Sequence, residues 1–203
     1  MKVAFFHVLI QNKYLIQNYL LNLYSCFIQI ILFKLKMERL ELVRNEVNAI
    51  LLNQPDLNVR INGYIHLYGV AQNCSLLAIK RGLDIEICTI MGMLHDIYTY
   101  KNGYIKEHGM LGAIEAESIL KNLSVFKPEE IEIVKYAITY HSDKKNKHDK
   151  FSELLKDADL LQNSLYQNFF EIKNLKRLIK TFKSFGIKMK LKKAAKKGNL
   201  NSK

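Results

Sequence analysis

The stretch that decides the fold is Ile90-Met91-Gly92-Met93-Leu94-His95-Asp96. Its apolar residues lead directly into a histidine and an aspartate, which is typical of the end of a buried helix. A bare imidazole and a bare carboxylate in such surroundings cost free energy unless they have partners. A divalent ion is one such partner. Adjacent helical side chains diverge by roughly 100°, so an ion here would also need ligands from other helices.

The sequence around this stretch is helical in its periodicity. Between residues 37 and 51 the apolar positions recur at spacings of three and four, at Leu40, Val43, Val47, Ile50 and Leu51. Gly82 is expected to end one helix, Asp84 to cap the next, and Pro128 to lie in the first turn of another. With only two prolines and nine glycines, the composition favours long helices. We therefore expect an all-α fold built around one core.

Two further candidate ligands lie far from His95 and Asp96 in the chain. His66 lies 29 residues before His95, on a preceding helix, and Asp159 lies 63 residues after Asp96, in an otherwise apolar stretch. A set of two histidines and two aspartates gives mixed nitrogen and oxygen ligation. Such ligation suits Mn, Fe, Co, Ni, Zn or Mg, and the ligand types do not choose among these ions.

Several segments together resemble the HD superfamily of metal-dependent phosphohydrolases, whose pattern is H…HD…D. The resemblance runs over roughly residues 66–162 and is carried by His66-Leu67-Tyr68-Gly69-Val70-Ala71, Met91-Gly92-Met93-Leu94-His95-Asp96-Ile97, Glu107-His108-Gly109, Thr139-Tyr140-His141-Ser142 and Lys156-Asp157-Ala158-Asp159-Leu160-Leu161. One departure follows the His-Asp pair, where the family commonly has Ile-Gly and this chain has Ile97-Tyr98. That departure concerns the shape of the substrate pocket more than metal binding.

The resemblance implies a helical domain that binds a divalent metal through four positions and hydrolyses phosphomonoesters or phosphodiesters, often of nucleotides. His66, His95 and Asp96 match the first three ligands. Asp159 matches the fourth better than Asp157, which lies two residues earlier and points roughly 200° away on a helix. We expect a small phosphorylated substrate, of the nucleotide class, and no organic cofactor.

The expected catalytic residues are Asp96, His108 and His141. Asp96 would orient or deprotonate the attacking water, while His108 or His141 would stabilise the charge of the transition state. In the branch of the superfamily with two metals, such histidines complete a second ion's shell. We favour one ion because the paired-histidine motif of that branch is absent. Lys106 and Lys144 could neutralise phosphate charge, although a lysine in a polar loop is usually solvated.

The net charge of +12 is concentrated at the C-terminal end. Residues 172–203 hold 12 of the 31 Lys and Arg residues and no acid, so the rest of the chain carries 19 bases and 19 acids. Such a tail can hold RNA or an anionic membrane surface, but a solvated helix with a frayed end is the interpretation we favour. The rival function is a non-enzymatic HD-type regulatory or nucleic-acid-associated adaptor that uses this tail.

Three segments follow from these patterns: residues 1–36 as an apolar leader, 37–171 as the HD-type phosphohydrolase domain and 172–203 as the basic tail. The leader has no acid and several polar interruptions, which makes it marginal as a membrane span. It is expected to be either translated upstream sequence, in which case the natural protein begins at Met37 with the start of a helix, or a membrane-proximal anchor helix. Cys26, Cys74 and Cys88 show no metal spacing and are expected to be small buried hydrophobes in a reducing, cytoplasmic compartment.

Overall fold

The computed structural model describes residues 2–103, 106–166 and 174–188. For residues 2–19 and 33–37 within these ranges it describes the backbone but not the side chains. The all-α expectation is confirmed, since these residues form eight helices and no strand. The helices are α1 (Lys2–Leu52), α2 (Leu57–Arg81), α3 (Ile85–Leu94), α4 (Ile97–Asn102), α5 (His108–Leu123), α6 (Pro128–Tyr140), α7 (Lys150–Tyr166) and α8 (Leu175–Ser184).

The predicted helix ends are confirmed where local signals were strong. Gly82 follows α2 in the left-handed conformation, with φ of 63°, which glycine adopts without a steric penalty. The Asp84 carboxylate accepts a hydrogen bond of 3.0 Å from the Ile87 amide and so caps α3. Pro128 is the first residue of α6, where its missing N–H costs nothing.

Helix α3 lies at the centre of the bundle and packs against α1, α2, α6 and α7. Its closest neighbour is α2, and Gly92 permits the approach. A Cβ added at Gly92 would lie only 2.5 Å from Ala71 Cα, a backbone atom that cannot move aside. Because α2 carries His66 and α3 leads into His95, this close contact sets how near the two histidines lie.

The C-terminal part of α1 belongs to the core of the bundle. Val43, Val47 and Leu51 are buried, and Arg39 forms hydrogen bonds of 3.0 Å with both oxygens of Glu86 on α3 and of 3.1 Å with both oxygens of Glu130 on α6. The helix start expected at Met37 is wrong, since α1 begins at Lys2 and continues through that position. No glycine or proline lies between residues 2 and 52 to interrupt it.

The large apolar side chains of residues 20–32 in α1 are exposed. Within the described ranges, no helix is apolar over enough length to cross a membrane. Cys26 lies in this stretch and is exposed, so the expectation that it is buried is wrong, whereas Cys74 and Cys88 are buried as expected. Whether residues 1–36 act as a separate leader stays a prediction.

Helix α8 lies inside the segment assigned to the basic tail. It is amphipathic, with Leu178, Thr181 and Phe182 buried, and it packs on α7. Part of the segment is thus packed against the bundle rather than solvated. Residues 189–203 of the tail lie outside the described residues.

Candidate metal centre

The imidazoles of His66 and His95 face each other across the contact between α2 and α3. Their Nε2 atoms are 3.1 Å apart, and both residues are buried. His95 Nδ1 lies 2.8 Å from the Gly92 carbonyl oxygen. A carbonyl only accepts hydrogen bonds, so Nδ1 carries the proton and Nε2 of the neutral ring presents its lone pair. This arrangement, in which the outer nitrogen is held by a carbonyl, is common for metal-binding histidines.

Asp96 lies between two pairs of histidines. Its Oδ2 is 3.5 Å from His66 Nε2 and 3.4 Å from His95 Nε2. Its Oδ1 is 3.3 Å from His141 Nε2 and 3.8 Å from His108 Nε2. Oδ1 is buried and has no hydrogen bond within the described part of the chain. A buried carboxylate oxygen without a hydrogen bond is costly, and a cation beside it would remove that cost.

The structure therefore contains two groups of side chains that could hold an ion, and Asp96 belongs to both. The first comprises His66, His95 and Asp96, and the second comprises Asp96, His108 and His141. The His141 ring is oriented in the same way as that of His95, because its Nδ1 donates a hydrogen bond of 2.7 Å to the Ile138 carbonyl oxygen. His108 and His141 come from the start of α5 and the end of α6, which meet beside Asp96.

The two candidate aspartates of α7 lie in different surroundings. Asp159 Oδ1 is 3.6 Å from His66 Nε2 and 4.0 Å from His95 Nε2, so this residue faces the first group. Asp157 forms ion pairs with Arg81 at 2.5 Å and with Arg177 at 2.8 Å. Both carboxylates are largely buried, but only that of Asp159 approaches the histidines, as the sequence analysis favoured.

The donor spacings suit a divalent ion. Two ligands that are each about 2.1 Å from one ion lie roughly 3 Å apart at right angles and about 4 Å apart on opposite sides. The distances from His66 Nε2 to His95 and Asp96 fall in this range, as does the longer distance from His95 to Asp159. Histidine nitrogens with carboxylate oxygens are the donor set of Mn, Fe, Co, Ni and Zn sites, and Mg accepts the oxygens.

Asp159 also has two partners that the sequence did not indicate. Lys144 Nζ lies 2.6 Å from Asp159 Oδ2, and Asn163 Nδ2 donates to Oδ1 at 2.9 Å. The expectation that Lys144 is simply solvated is therefore wrong. The only signal in the sequence was its position, three residues after His141. Lys106 is exposed, in agreement with the solvated interpretation.

The loop that carries Lys144 is anchored by a buried lysine. The Lys156 side chain is fully buried on α7, where its ammonium group binds the Asn146 carbonyl oxygen at 2.9 Å, His148 Nδ1 at 2.7 Å and Glu153 at 2.9 Å. A buried ammonium group needs all of its donors satisfied, and here two of the partners come from the loop. This anchor holds the loop, and with it Lys144, beside Asp159.

The charges of the cluster favour ionised carboxylates. Burial tends to raise the pKa of Asp96, but the imidazoles of His95, His141 and His66 outweigh it, so the pKa lies well below its usual value. The pKa of Asp159 is likewise lowered, because Lys144 and the histidines outweigh burial. Burial opposes protonation of His66 and His141, yet the nearby carboxylates raise the pKa of both. The cluster is a negative centre with imidazoles around it.

Tyr100 is a further residue beside the cluster. Its ring lies 6.3 Å from the His66 ring, and burial, together with Asp96 and Asp159, raises the pKa of its hydroxyl. Tyr100 matches no position of the H…HD…D pattern. It belongs to the segment after the His-Asp pair that departs from the HD pattern, which was the available signal for a role beside the site.

A comparison with protein-family models found a match to the model described as HD domain, over residues 63–164. That range is half of the chain and includes all five residues of the two groups together with Asp159. Comparisons with curated proteins and with solved structures found no match.

Proposed function

This chain belongs to the HD domain family, whose members are generally metal-dependent hydrolases, and on that premise we propose that it is a phosphohydrolase. Its substrate is a phosphomonoester or phosphodiester of a nucleotide or a related small molecule. The observation that carries the proposal is the partly buried Asp96 carboxylate, with one oxygen toward His66 and His95 and the other toward His108 and His141.

The residues that would hold a metal follow from these groups. His66, His95 and Asp96, with Asp159, would hold one ion, and Asp96, His108 and His141 would hold another. The sequence favours a single ion, but the second group supports two, with Asp96 shared. When bound, a divalent ion would supply a Lewis acid that makes water a better nucleophile and offsets the charge of the phosphoryl group.

The side chains around these groups would carry the other roles. A carboxylate whose pKa is well below its usual value is a weak base, so we assign Asp96 to holding a cation and orienting water rather than to deprotonating it. Lys144 would neutralise charge on the phosphoryl oxygens, because its ammonium group lies at the edge of the cluster beside Asp159.

His108 and His141 differ in their access to a substrate. The side chain of His141 is 3% exposed and that of His108 is 13% exposed. If a single ion binds, His108 is therefore the better placed of the two to give a proton to the leaving group. With two ions, both histidines would be ligands instead. The number of metals per chain decides between these roles.

The rival adaptor function has less physical support. It gives no reason to place Asp96 and the buried Asp159 among four histidines, since buried charges without compensation destabilise a fold. The α8 helix, which the adaptor would use, is partly packed on α7. An enzyme accounts for the buried cluster, and the adaptor does not.

The test is metal content by elemental analysis, together with phosphate release from a panel of nucleotides with added Mn, Co, Ni or Mg. Wild type is expected to hold one or two ions per chain and to show metal-dependent turnover. Asp96→Asn should lose both while keeping its helical circular dichroism. Wild type with neither metal nor turnover would reject the proposal.

A matched pair of variants tests which aspartate of α7 is the fourth ligand. Asp159→Asn should lose metal and turnover, whereas Asp157→Asn, two residues away on the same helix, should keep them. If Asp157→Asn instead abolished metal binding in a folded protein, the assignment of Asp159 would be wrong.

A further inference from the structure

A second charged site lies on the other side of α7 from the histidines. It is a cavity of about 510 Å³ between the end of α2, the loop before α7, α7 itself and α8. Two carboxylates, Glu153 and Asp157, line it together with five cationic side chains: Arg81, Lys147, Lys176, Arg177 and Lys180. We name it the basic cavity.

The two carboxylates of the basic cavity are paired with its two arginines. Arg177 donates to Glu153 at 2.7 Å and to Asp157 at 2.8 Å, and Arg81 donates to Asp157 at 2.5 Å. Burial opposes ionisation of Glu153, but Lys156 and Arg177 lower its pKa to about 2, so it is charged at neutral pH. The arginines are therefore held in position at the wall of the cavity.

The three lysines have no such partners. Lys147, Lys176 and Lys180 are exposed at the cavity, and none forms an ion pair with a carboxylate within the described ranges. Three lysines that converge on one concave surface repel each other unless an anion lies between them. The positive excess of the basic cavity is thus both local and uncompensated.

We propose that the basic cavity binds a compact polyphosphate group, at a site distinct from the metal centre. Phosphate oxygens accept hydrogen bonds from guanidinium and ammonium groups together, which is what the cavity wall presents. A volume of about 510 Å³ suits a small ligand rather than an extended polymer. The site differs from the metal centre because Asp157 and Asp159 point to different sides of α7.

Binding would add a link between three elements that line the cavity. The ligand would bridge Arg81 at the end of α2, Lys147 in the loop, and Lys176 with Lys180 on α8. A ligand that binds only the folded state raises its stability by RT ln(1 + [L]/Kd), which grows with ligand concentration. Bound polyphosphate should therefore raise the unfolding temperature of the protein, independently of any turnover.

Isothermal titration calorimetry with inorganic tripolyphosphate, in EDTA and about 50 mM salt, tests the proposal without using activity. Wild type should bind about one tripolyphosphate per chain, more weakly at higher salt. Lys176→Ala/Lys180→Ala should weaken binding roughly 100-fold, since each lost charged hydrogen bond contributes about tenfold. Lys176→Arg/Lys180→Arg should retain it, because the charge is kept.

The control removes two exposed lysines elsewhere. Lys121→Ala/Lys127→Ala changes the net charge equally on the α5–α6 side and should leave binding unchanged. Equal weakening in both double variants would overturn the proposal, as would no binding by wild type. If Lys144→Ala abolished binding instead, the anion would lie at the metal centre and the basic cavity would not be its site.

RNA is the macromolecular alternative, because cationic residues continue through residues 188–203. A single-stranded 12-nucleotide RNA should not compete with tripolyphosphate for the cavity. An RNA that binds tightly under the same conditions, while tripolyphosphate does not bind, would replace the proposal with a nucleic-acid surface.

Discussion

Two carboxylates on α7, two residues apart, show how one helix serves two different purposes. Asp157 lies between Arg81 and Arg177, which neutralise it, and Asp159 lies between His66 and Lys144 in a cluster of imidazoles. The Asp157 side stabilises the fold, because this carboxylate joins Arg81 at the end of α2 to Arg177 on α8. The Asp159 side brings carboxylate oxygens close to imidazole nitrogens, which is a donor set that suits a cation.

The largest expected effect separates these two carboxylates. Asp159→Asn should lower metal-dependent phosphate release by on the order of 100-fold or more, because a direct ligand matters more than the outer partners that typically contribute 10- to 100-fold. Asp157→Asn should keep activity within about threefold and lower the free energy of unfolding by about 1–3 kcal/mol, because two arginines lose a charged partner. Phosphate release and urea unfolding of both variants make the comparison.

Equal loss of activity in both variants, with equal folding, would mean that the two sides of α7 are not distinct in function. Arg177→Met is a control variant on the Asp157 side of α7. It should lower stability without changing the metal content.

The Asp159 side also depends on the approach of α3 to α2. Gly92→Ala should lower the free energy of unfolding by about 1–3 kcal/mol, because the new Cβ would collide with the Ala71 backbone. His66 and His95 should separate and metal affinity should fall. Gly69→Ala is the matched control, since its Cβ would meet only the movable end of the Gln162 side chain. Thermal unfolding and metal titration measure both variants.

A smaller effect is expected at Lys144. Lys144→Met should lower turnover by about tenfold, since one charged contact to the phosphoryl group is lost. Metal should bind at least as tightly, because the ammonium group no longer competes for Asp159 Oδ2. Steady-state kinetics and metal titration separate the two effects. Weaker metal binding in Lys144→Met would show that the lysine supports the ligand rather than the substrate.

The smallest expected effect is at Glu153, on the Asp157 side of α7, and it depends on pH. The pKa of Glu153 is lowered to about 2 in the folded protein, from an ordinary value of 4.5. Its contribution is therefore complete above the unfolded pKa and is lost as the pH falls from about 4.5 toward 2. Glu153→Gln should cost about 1 kcal/mol at pH 7, after allowance for solvent screening, and less at pH 3. Urea unfolding at both pH values measures this, and a cost that does not change with pH would contradict it.

The sequence by itself determined the helical class, the capping of α3 by Asp84, the end of α2 at Gly82 and the first turn of α6 at Pro128. These are local features, because a cap or a proline acts within one helical turn. His66, His95 and Asp96 could also be named, since their residue types stand in an ordered pattern that the family match over residues 63–164 supports.

The tertiary structure decided which residues meet. The choice of Asp159 over Asp157 as the carboxylate that faces the histidines, the position of Asp96 between two histidine pairs, and the contact of Lys144 with Asp159 all depend on how helices pack. The continuous α1, with Arg39 joined to α3 and α6, also differs from the expected start at Met37. These contacts connect residues that are far apart in the chain, and periodicity and caps act only within a helix, so only the packed bundle determines them.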